Sequence, residues 1–264
     1  MQLSVIIPAA GGSTRFGDRD KLREELGGRP LLVRTIEVFA ANEFVDQIIV
    51  AGPPDEMQVF RDRFGPALSF HGAQLVEGGR ESRWQSVQSA LALVKDDATH
   101  IGVHDAARPG VTQELLGRIL EASNYVDAVI PVININATVK RVGQVEDVGA
   151  SEDEFEALAD SILGDAADSS VKASPVLETV DRTGLVLAQT PQVFKAELLR
   201  RAYAEGHAEN TTDDAQAVSL AGGEVYTVPG EHRNLKVTTR DDVKLIKSLM
   251  GLRDEPQRPT HKRF

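Results

Sequence analysis

The 264-residue chain has no cysteine, which excludes disulfides, thiolate metal sites and a cysteine nucleophile and fits a reducing compartment. Aromatic residues make up only 5%, and cations are in the minority, 29 Lys and Arg against 40 Asp and Glu for a net charge of −11. A general binder of nucleic acid or anionic membrane needs the opposite balance, because it displaces counterions from phosphates with its own cations. A small phosphorylated ligand answers to a few local cations and stays open. Long hydrophobic runs are missing too: the apolar start Leu3-Ser4-Val5-Ile6-Ile7 follows no basic segment and is cut off by Pro8, far short of a signal peptide or a membrane span. We therefore expect a cytoplasmic protein. The acidity is local, since residues 144–170 hold nine Asp and Glu and no Lys or Arg, which leaves 31 acidic against 29 basic residues elsewhere.

What is present is ordinary globular composition, 41% hydrophobic and 26% charged, in a length that allows one large domain or two small ones with a full core. Residues 3–7 are rich in β-branched side chains and too few for a helix, so they read as a strand buried on both faces. Residues 30–42 carry Leu32, Ile36 and Phe39 behind Pro30, the pattern of a helix packed on a sheet. The alternation continues with a strand over 45–51, a helix near 55–64, a strand near 74–76, a helix over 81–94, a strand over 99–104, a helix over 113–122 and a strand over 128–132. Strand and helix taking turns at this spacing predict a doubly wound, mostly parallel α/β sheet, whose ligand crevice lies beyond the carboxyl ends of the strands. From 133 to 180 the rhythm breaks: β-type stretches at 138–142 and 175–180 enclose an acidic, Ala- and Ser-rich middle, read as a projecting arm with a mobile tip. Helices near 195–204 and 212–220, a strand over 224–228 and a helix over 240–249 follow. The reading is one domain over 1–250, the arm at 133–180 included, with a frayed tail over 251–264.

The residues just after each strand are the candidates for chemistry. Ala9-Ala10-Gly11-Gly12-Ser13-Thr14-Arg15-Phe16-Gly17, closed by Lys21, follows the first strand. Its small residues let backbone N–H groups approach phosphate oxygens, and Arg15 and Lys21 add charge against a phosphate chain. It is neither a Walker loop nor a Gly-x-Gly-x-x-Gly fingerprint; glycines alone would mean a turn, and the two cations shift the reading to phosphate binding. After the third strand, Gly78-Gly79 leads through Arg83 to Ser86 in the first turns of a helix, where a hydroxyl and free amides can hold an anion or a base edge, although a turn with an N-cap explains the stretch as well. The fourth strand ends in His104-Asp105-Ala106-Ala107-Arg108-Pro109. Asp105 is placed there to take Mg²⁺ or a sugar hydroxyl and Arg108 a phosphate, against the plainer reading that the two simply pair; His104 reads as a packed neighbour. Later come Thr190-Pro191-Gln192, Thr212-Asp213-Asp214 and Lys236-Val237-Thr238. The helix dipole accounts for the two aspartates, and Lys236 reads as a surface charge.

In order, and over residues 6–245, the chain carries Pro8-Ala9-Ala10-Gly11 with Arg15 and Lys21, Gly78-Gly79 leading to Arg83 and Ser86-Val87, the run from His104 to Pro109, Thr138-Val139-Lys140, Thr179-Val180-Asp181-Arg182, Thr190-Pro191-Gln192, Thr212-Asp213 and Lys236-Val237-Thr238. This set resembles the 2-C-methyl-D-erythritol 4-phosphate cytidylyltransferases of the non-mevalonate isoprenoid pathway. The resemblance implies a Rossmann-like nucleotidyltransferase fold with a projecting β-arm for dimerisation. It also implies transfer of CMP from CTP to methylerythritol phosphate with release of pyrophosphate, assisted by Mg²⁺ or another divalent cation. By motif, Arg15 and Lys21 would stabilise charge on the α-phosphate and the leaving pyrophosphate, and Ala9, Ala10, Gly11, Gly79, Ser86, Asp105 and Ala106 would hold the nucleotide. Asp105, Arg108, Thr138, Thr190 and Lys236 would surround the acceptor, with Asp105 at the metal and Lys236 among the catalytic groups. Arg182 would reach from the arm into the neighbouring subunit's site of a homodimer and act there. Nucleic acid and membrane are not among the expected partners.

The chain departs from that pattern at named places. Asp20 stands where the family usually has Pro before the Lys, Ala137 where it has Asp before Thr138, and Gln85 where Asp precedes Ser86, while the loop from Gly79 to Ser86 is one residue longer. The change at Ala137 bears on the acceptor's hydroxyls and makes another polyol phosphate, such as ribitol 5-phosphate, the rival acceptor. A molybdenum-cofactor-type guanylyltransferase resembles the opening loop, Gly11 to Gly17 with Asp20-Lys21, but not the later motifs. A non-catalytic dimeric binding protein on the same fold is opposed by the retained Arg15, Lys21, Asp105 and Lys236.

Overall fold

The structure is a computed structural model of the chain and describes residues 1–11, 16, 20–148, 171–209 and 211–252. Arg15, the tip of the acidic stretch and the last residues, for which the sequence suggests a phosphate cation, an arm tip and a tail, lie outside the described residues. The chain divides into two compact units, Met1–Ile133 with Ala188–Phe264, and Asn134–Leu187.

The larger unit begins with β1 (Leu3–Pro8), α1 (Leu31–Ala40), β2 (Val45–Gly52), α2 (Met57–Phe70), β3 (Ala73–Glu77), α3 (Arg83–Leu91), β4 (His100–Val103), α4 (Gln113–Ala122) and β5 (Ala128–Asn134). From the end of the smaller unit, which includes the first two residues of β10 (Val186–Ala188), the chain continues into β11 (Gln192–Lys195), α5 (Ala196–Ala204), α6 (Asp214–Leu220), β12 (Tyr226–Pro229) and α7 (Arg240–Leu249). Seven of these strands pair in the order β12-β5-β11-β4-β1-β2-β3. Pairing is parallel between β1 and β2, β1 and β4, β2 and β3, and β5 and β12, whereas β11 runs antiparallel to both β4 and β5. The sheet is therefore mostly parallel, as the alternation predicts.

The period of β1 explains its place in the middle. Leu3, Val5 and Ile7 join one core with Leu32, Ile36 and Phe39 of α1 and Leu115, Leu116 and Ile119 of α4. Ile6 joins the other core with Ile49, Val87 and Leu91, Phe194 of β11 and Leu199 of α5. Side chains alternate across a strand, so these are the two faces of one sheet, each covered by helices. Burying each such Leu, Ile or Phe contributes roughly 1.5–3 kcal/mol.

Some elements differ from the expectation. The helix read near 55–64 runs from Met57 through Pro66 to Phe70. An interior proline removes a hydrogen bond and crowds the preceding turn; the buried stripe of Phe60, Phe64 and Leu68 holds the helix together across it. The helix read over 81–94 is confined to Arg83–Leu91, and β10 and β11 stand where only a loop motif was read.

In the smaller unit, β6 (Val139–Val142) pairs antiparallel with β9 (Val176–Val180), and β7 (Glu146–Val148) with β8 (Val171–Ala173). The second pair falls outside the β-type stretches read from sequence, and the unit ends at Leu187 rather than 180. Among the described residues, no helix is long and apolar enough to cross a membrane.

Candidate active site

The carboxyl ends of β1, β3 and β4 feed one cavity of about 260 Å³, lined by Pro8 to Gly11, Lys21 and Leu22, Gly79 to Arg83, Ser86, Asp105 to Ala107, and Lys236. The loops leave the sheet as extensions of its ladder: Ala9 N–H donates to the Ala51 carbonyl at 2.7 Å and Gly78 N–H to the Gly52 carbonyl at 2.8 Å. Glycine is required in the second loop. A Cβ on Gly78 would lie 2.8 Å from Ala10 Cβ and from Ser86 Oγ, and one on Gly79 would lie 2.1 Å from Gln85 Cβ. This close approach lets Gly79 N–H donate to the buried Ser86 hydroxyl at 3.0 Å.

Two of the departures from the family pattern have local explanations. Asp20 Oδ1 accepts the Leu22 N–H at 3.0 Å and so caps the short helical turn over Lys21–Arg23. Proline and aspartate are alternative ways to start a helical turn, by fixed φ or by capping, so Lys21 stays on an ordered turn anchored by buried Leu22. Gln85 Oε1 accepts the Glu81 N–H at 3.2 Å, closing the lengthened loop.

Asp105 is the hub of the site. It is 8% exposed, and its Oδ2 takes Lys236 Nζ at 3.0 Å and Arg108 Nε at 3.1 Å, while Oδ1 faces Arg83 Nε at 3.5 Å. Burial opposes ionisation, but Lys236, Arg83 and Arg108 outweigh it and hold this carboxyl well below the usual carboxylate range. The plainer reading of the Asp105–Arg108 pair is thus what the structure contains; Arg108 Nη1 is further committed to the Asn234 carbonyl at 2.8 Å. Both its oxygens face cations, and no group of three His, Asp or Glu able to hold a metal gathers among the described residues, so a divalent ion at Asp105 would need further ligands from a bound phosphate chain.

Arg83 and Asp214 are the functional residues that sequence reasoning missed. Arg83 Nη2 donates to Asp214 Oδ2 at 2.7 Å, and the Tyr203 hydroxyl donates to Asp214 Oδ1 at 2.6 Å. Burial would lower the Arg83 pKa, yet Asp214 and then Asp105 raise it above its usual value. Burial and Asp214 together push the Tyr203 phenol up. The helix-dipole explanation of the two aspartates is therefore incomplete: Asp213 caps α6 through Gln216 N–H at 3.0 Å, whereas Asp214, 1% exposed, anchors Arg83 behind the cavity. The sequence offered only the Arg83 of a family motif and a carboxylate 131 positions away.

A second cavity of about 220 Å³ is lined by Arg108, Gln189, Thr190, Gln192, Thr212 and Asp213, and it shares Arg83, Asp105 and Lys236 with the first. Behind it, His104 is completely buried. Its Nε2 lies 3.1 Å from the Arg108 carbonyl and its Nδ1 3.1 Å from Thr190 Oγ1, which also accepts the Asp105 N–H at 3.0 Å. Burial lowers the imidazole pKa to about 4.

Ala9, Ala10, Gly11, Lys21, Gly79, Ser86, Asp105, Ala106 and Lys236 thus share the first cavity, and Asp105, Arg108, Thr190 and Lys236 the second. Thr138 and Arg182 belong to the smaller unit. There Thr138 is exposed just before β6, and Arg182 Nη1 donates to the carbonyls of Ile135 at 3.0 Å and Ala137 at 3.1 Å and also to that of Asn136.

Small residues and cations beyond the carboxyl ends of a mostly parallel sheet, with two cavities sharing one wall, make an α/β protein with a site suited to phosphorylated ligands. The family model of 2-C-methyl-D-erythritol 4-phosphate cytidylyltransferase (IspD) matches residues 3–157 and 144–251. A relative of that name from Bacteroides thetaiotaomicron is 36% identical over 251 residues, covering 95% of this chain and all of its own. Another, from Salinibacter ruber, is 34% identical over 259 residues, 97% of this chain and 96% of its own. The crystal structure of the protein of that name from Thermus thermophilus matches with a TM-score of 0.67 at 29% identity, covering 96% of this chain and 100% of that one. The chain belongs to the 2-C-methyl-D-erythritol 4-phosphate cytidylyltransferase family.

Proposed function

We propose that the two cavities carry out transfer of CMP from CTP to 2-C-methyl-D-erythritol 4-phosphate with release of pyrophosphate. The observation that supports this reading most is the shared wall of Arg83, Asp105 and Lys236 between two cavities, in a chain of this family. An acceptor phosphate oxygen on one side attacks the α-phosphorus held on the other, and pyrophosphate leaves in line. Such a reaction asks for positioning and charge neutralisation, not for a covalent nucleophile.

In this reading the loop Ala9-Ala10-Gly11, with Gly79, Ser86 and Ala106, holds cytosine and ribose, while Lys21 and Arg15 take up charge on the α-phosphate and the leaving group. Lys236, paired with Asp105, faces both cavities and steadies the attacking phosphate. Arg108 and Thr190 line the acceptor side. A divalent cation, Mg²⁺ or another, would be held between the triphosphate oxygens and Asp105 and would supply charge neutralisation on the phosphates. Thr138 serves the acceptor, and Arg182 reaches the site of the neighbouring subunit of a homodimer.

Pyrophosphate release with each of the four nucleoside triphosphates, against methylerythritol phosphate and ribitol 5-phosphate, tests the assignment. We expect release with CTP and methylerythritol phosphate. Release that needs GTP, or that occurs only with the ribitol ester, contradicts it.

A further inference from the structure

Thr190 lines the smaller cavity, and the polarity of its hydroxyl is set from behind. Two backbone carbonyls lie near the His104 ring, those of Arg108 and Thr190; the Thr190 carbonyl accepts the Asn234 amide at 2.7 Å, whereas the Arg108 carbonyl, which can only accept, takes the ring hydrogen on Nε2. The ring is fully buried, with Phe39 edge-on at a centroid distance of 4.9 Å, surroundings that keep it neutral. A neutral ring protonated at Nε2 carries a lone pair at Nδ1, so the 3.1 Å contact with Thr190 Oγ1 uses the threonine's hydrogen. The same oxygen accepts the Asp105 N–H at 3.0 Å. Its hydrogen and one lone pair are spent, and one lone pair is left.

We propose that His104 is a positioning residue that fixes Thr190 as a hydrogen-bond acceptor, so that the smaller cavity receives a hydroxyl of the acceptor polyol at Thr190 and turns away phosphate oxygens there. The inference rests on the assignment of that cavity to the acceptor. A phosphate oxygen only accepts and finds no donor in Thr190, whereas a polyol hydroxyl can donate to it. The acceptor is thereby oriented with its hydroxyl-bearing part at Thr190 and its phosphate toward the cations. A site built to hydrogen-bond one partner rejects the alternative because the mismatch leaves buried polar groups unpaired.

Paired substitutions separate this role from packing. Asparagine at 104 keeps an acceptor near the Nδ1 position, whereas glutamine keeps a donor near Nε2. His104→Asn is expected to leave the KM for methylerythritol phosphate within about threefold of wild type, while His104→Gln raises it about tenfold with the KM for CTP unchanged. The His104→Gln penalty is expected to vanish in a Thr190→Val background. Equal acceptor KM values in the two His104 variants, or additive effects with Thr190→Val, overturn the proposal. ¹⁵N NMR of the wild-type imidazole decides the matter even if a variant fails to fold: the Nε2–H tautomer supports the proposal, and the Nδ1–H tautomer or an imidazolium at neutral pH overturns it. Because the tautomer is read without turnover, a wild-type chain that transferred no CMP would refute the functional reading and not be confused with failure of the hydrogen-bond relay.

Discussion

Asp214 and His104 show what single buried residues contribute behind a polar site. Asp214 is held by Arg83 and Tyr203, and its removal leaves the half-buried Arg83 guanidinium with only Asp105, 3.5 Å away, as a partner. Asp214→Ala should lower unfolding stability by about 1–3 kcal/mol, measured by urea denaturation, with Asp214→Asn recovering part of the loss through retained hydrogen bonds. Wild-type stability in Asp214→Ala would show that Arg83 needs no anchor. His104 makes stability depend on pH. Its folded pKa of about 4 lies below the ordinary value of 6.5, so between these limits the unfolded chain binds more protons and stability rises with pH. The contribution is complete above about pH 6.5 and is lost as pH falls toward 4, roughly 3 kcal/mol in all. Urea unfolding at pH 7.5, 6 and 5 should show a steeper rise of stability with pH in the wild type than in His104→Asn; parallel slopes would contradict it.

The loop after β3 puts the same logic at the scale of an element. A methyl group on Gly79 would meet Gln85 Cβ at 2.1 Å, so Gly79→Ala must displace the loop whose N–H bonds Ser86. We expect about a tenfold rise in the KM for CTP with little change in melting temperature, since the fault is local; an unchanged KM would remove this loop from nucleotide binding. Most of the sheet was legible because buried strands and amphipathic helices each have a period, as in β1 and α1. β11 was not, because four residues between Thr190-Pro191 and α5 are too few to show one, and its antiparallel register depends on where the smaller unit returns the chain. The same limit applies to the site. Lys21, Ser86 and Asp105 were readable from their positions after strands, but Arg83–Asp214 was not. A carboxylate in a first helical turn already has a sufficient local reason, and its true partner is distant in sequence. His104 was rightly read as packed; its role as a relay rests on the Arg108 carbonyl, which only folding brings to it.

At the scale of the whole molecule, the excess acidity lies in residues 144–170, and the remainder is nearly neutral with 31 acidic and 29 basic residues. A net charge of −11 is therefore compatible with a local cluster of Lys21, Arg83, Arg108 and Lys236 around the cavities. If Arg182 serves a neighbouring subunit, mixing inactive Arg182→Ala with inactive Lys21→Ala protein restores up to about a quarter of wild-type activity, because some mixed dimers hold one intact site. No rescue despite confirmed subunit exchange would place Arg182 in its own subunit's service. Product analysis of CTP with methylerythritol phosphate, for the wild type and for Lys21→Ala, tests cytidylyl transfer in this cleft. The wild type is expected to yield one CDP-methylerythritol per pyrophosphate, and Lys21→Ala a turnover lower by a factor of about 10³ with CTP affinity preserved. Pyrophosphate without the coupled product, or wild-type turnover in Lys21→Ala, would contradict it.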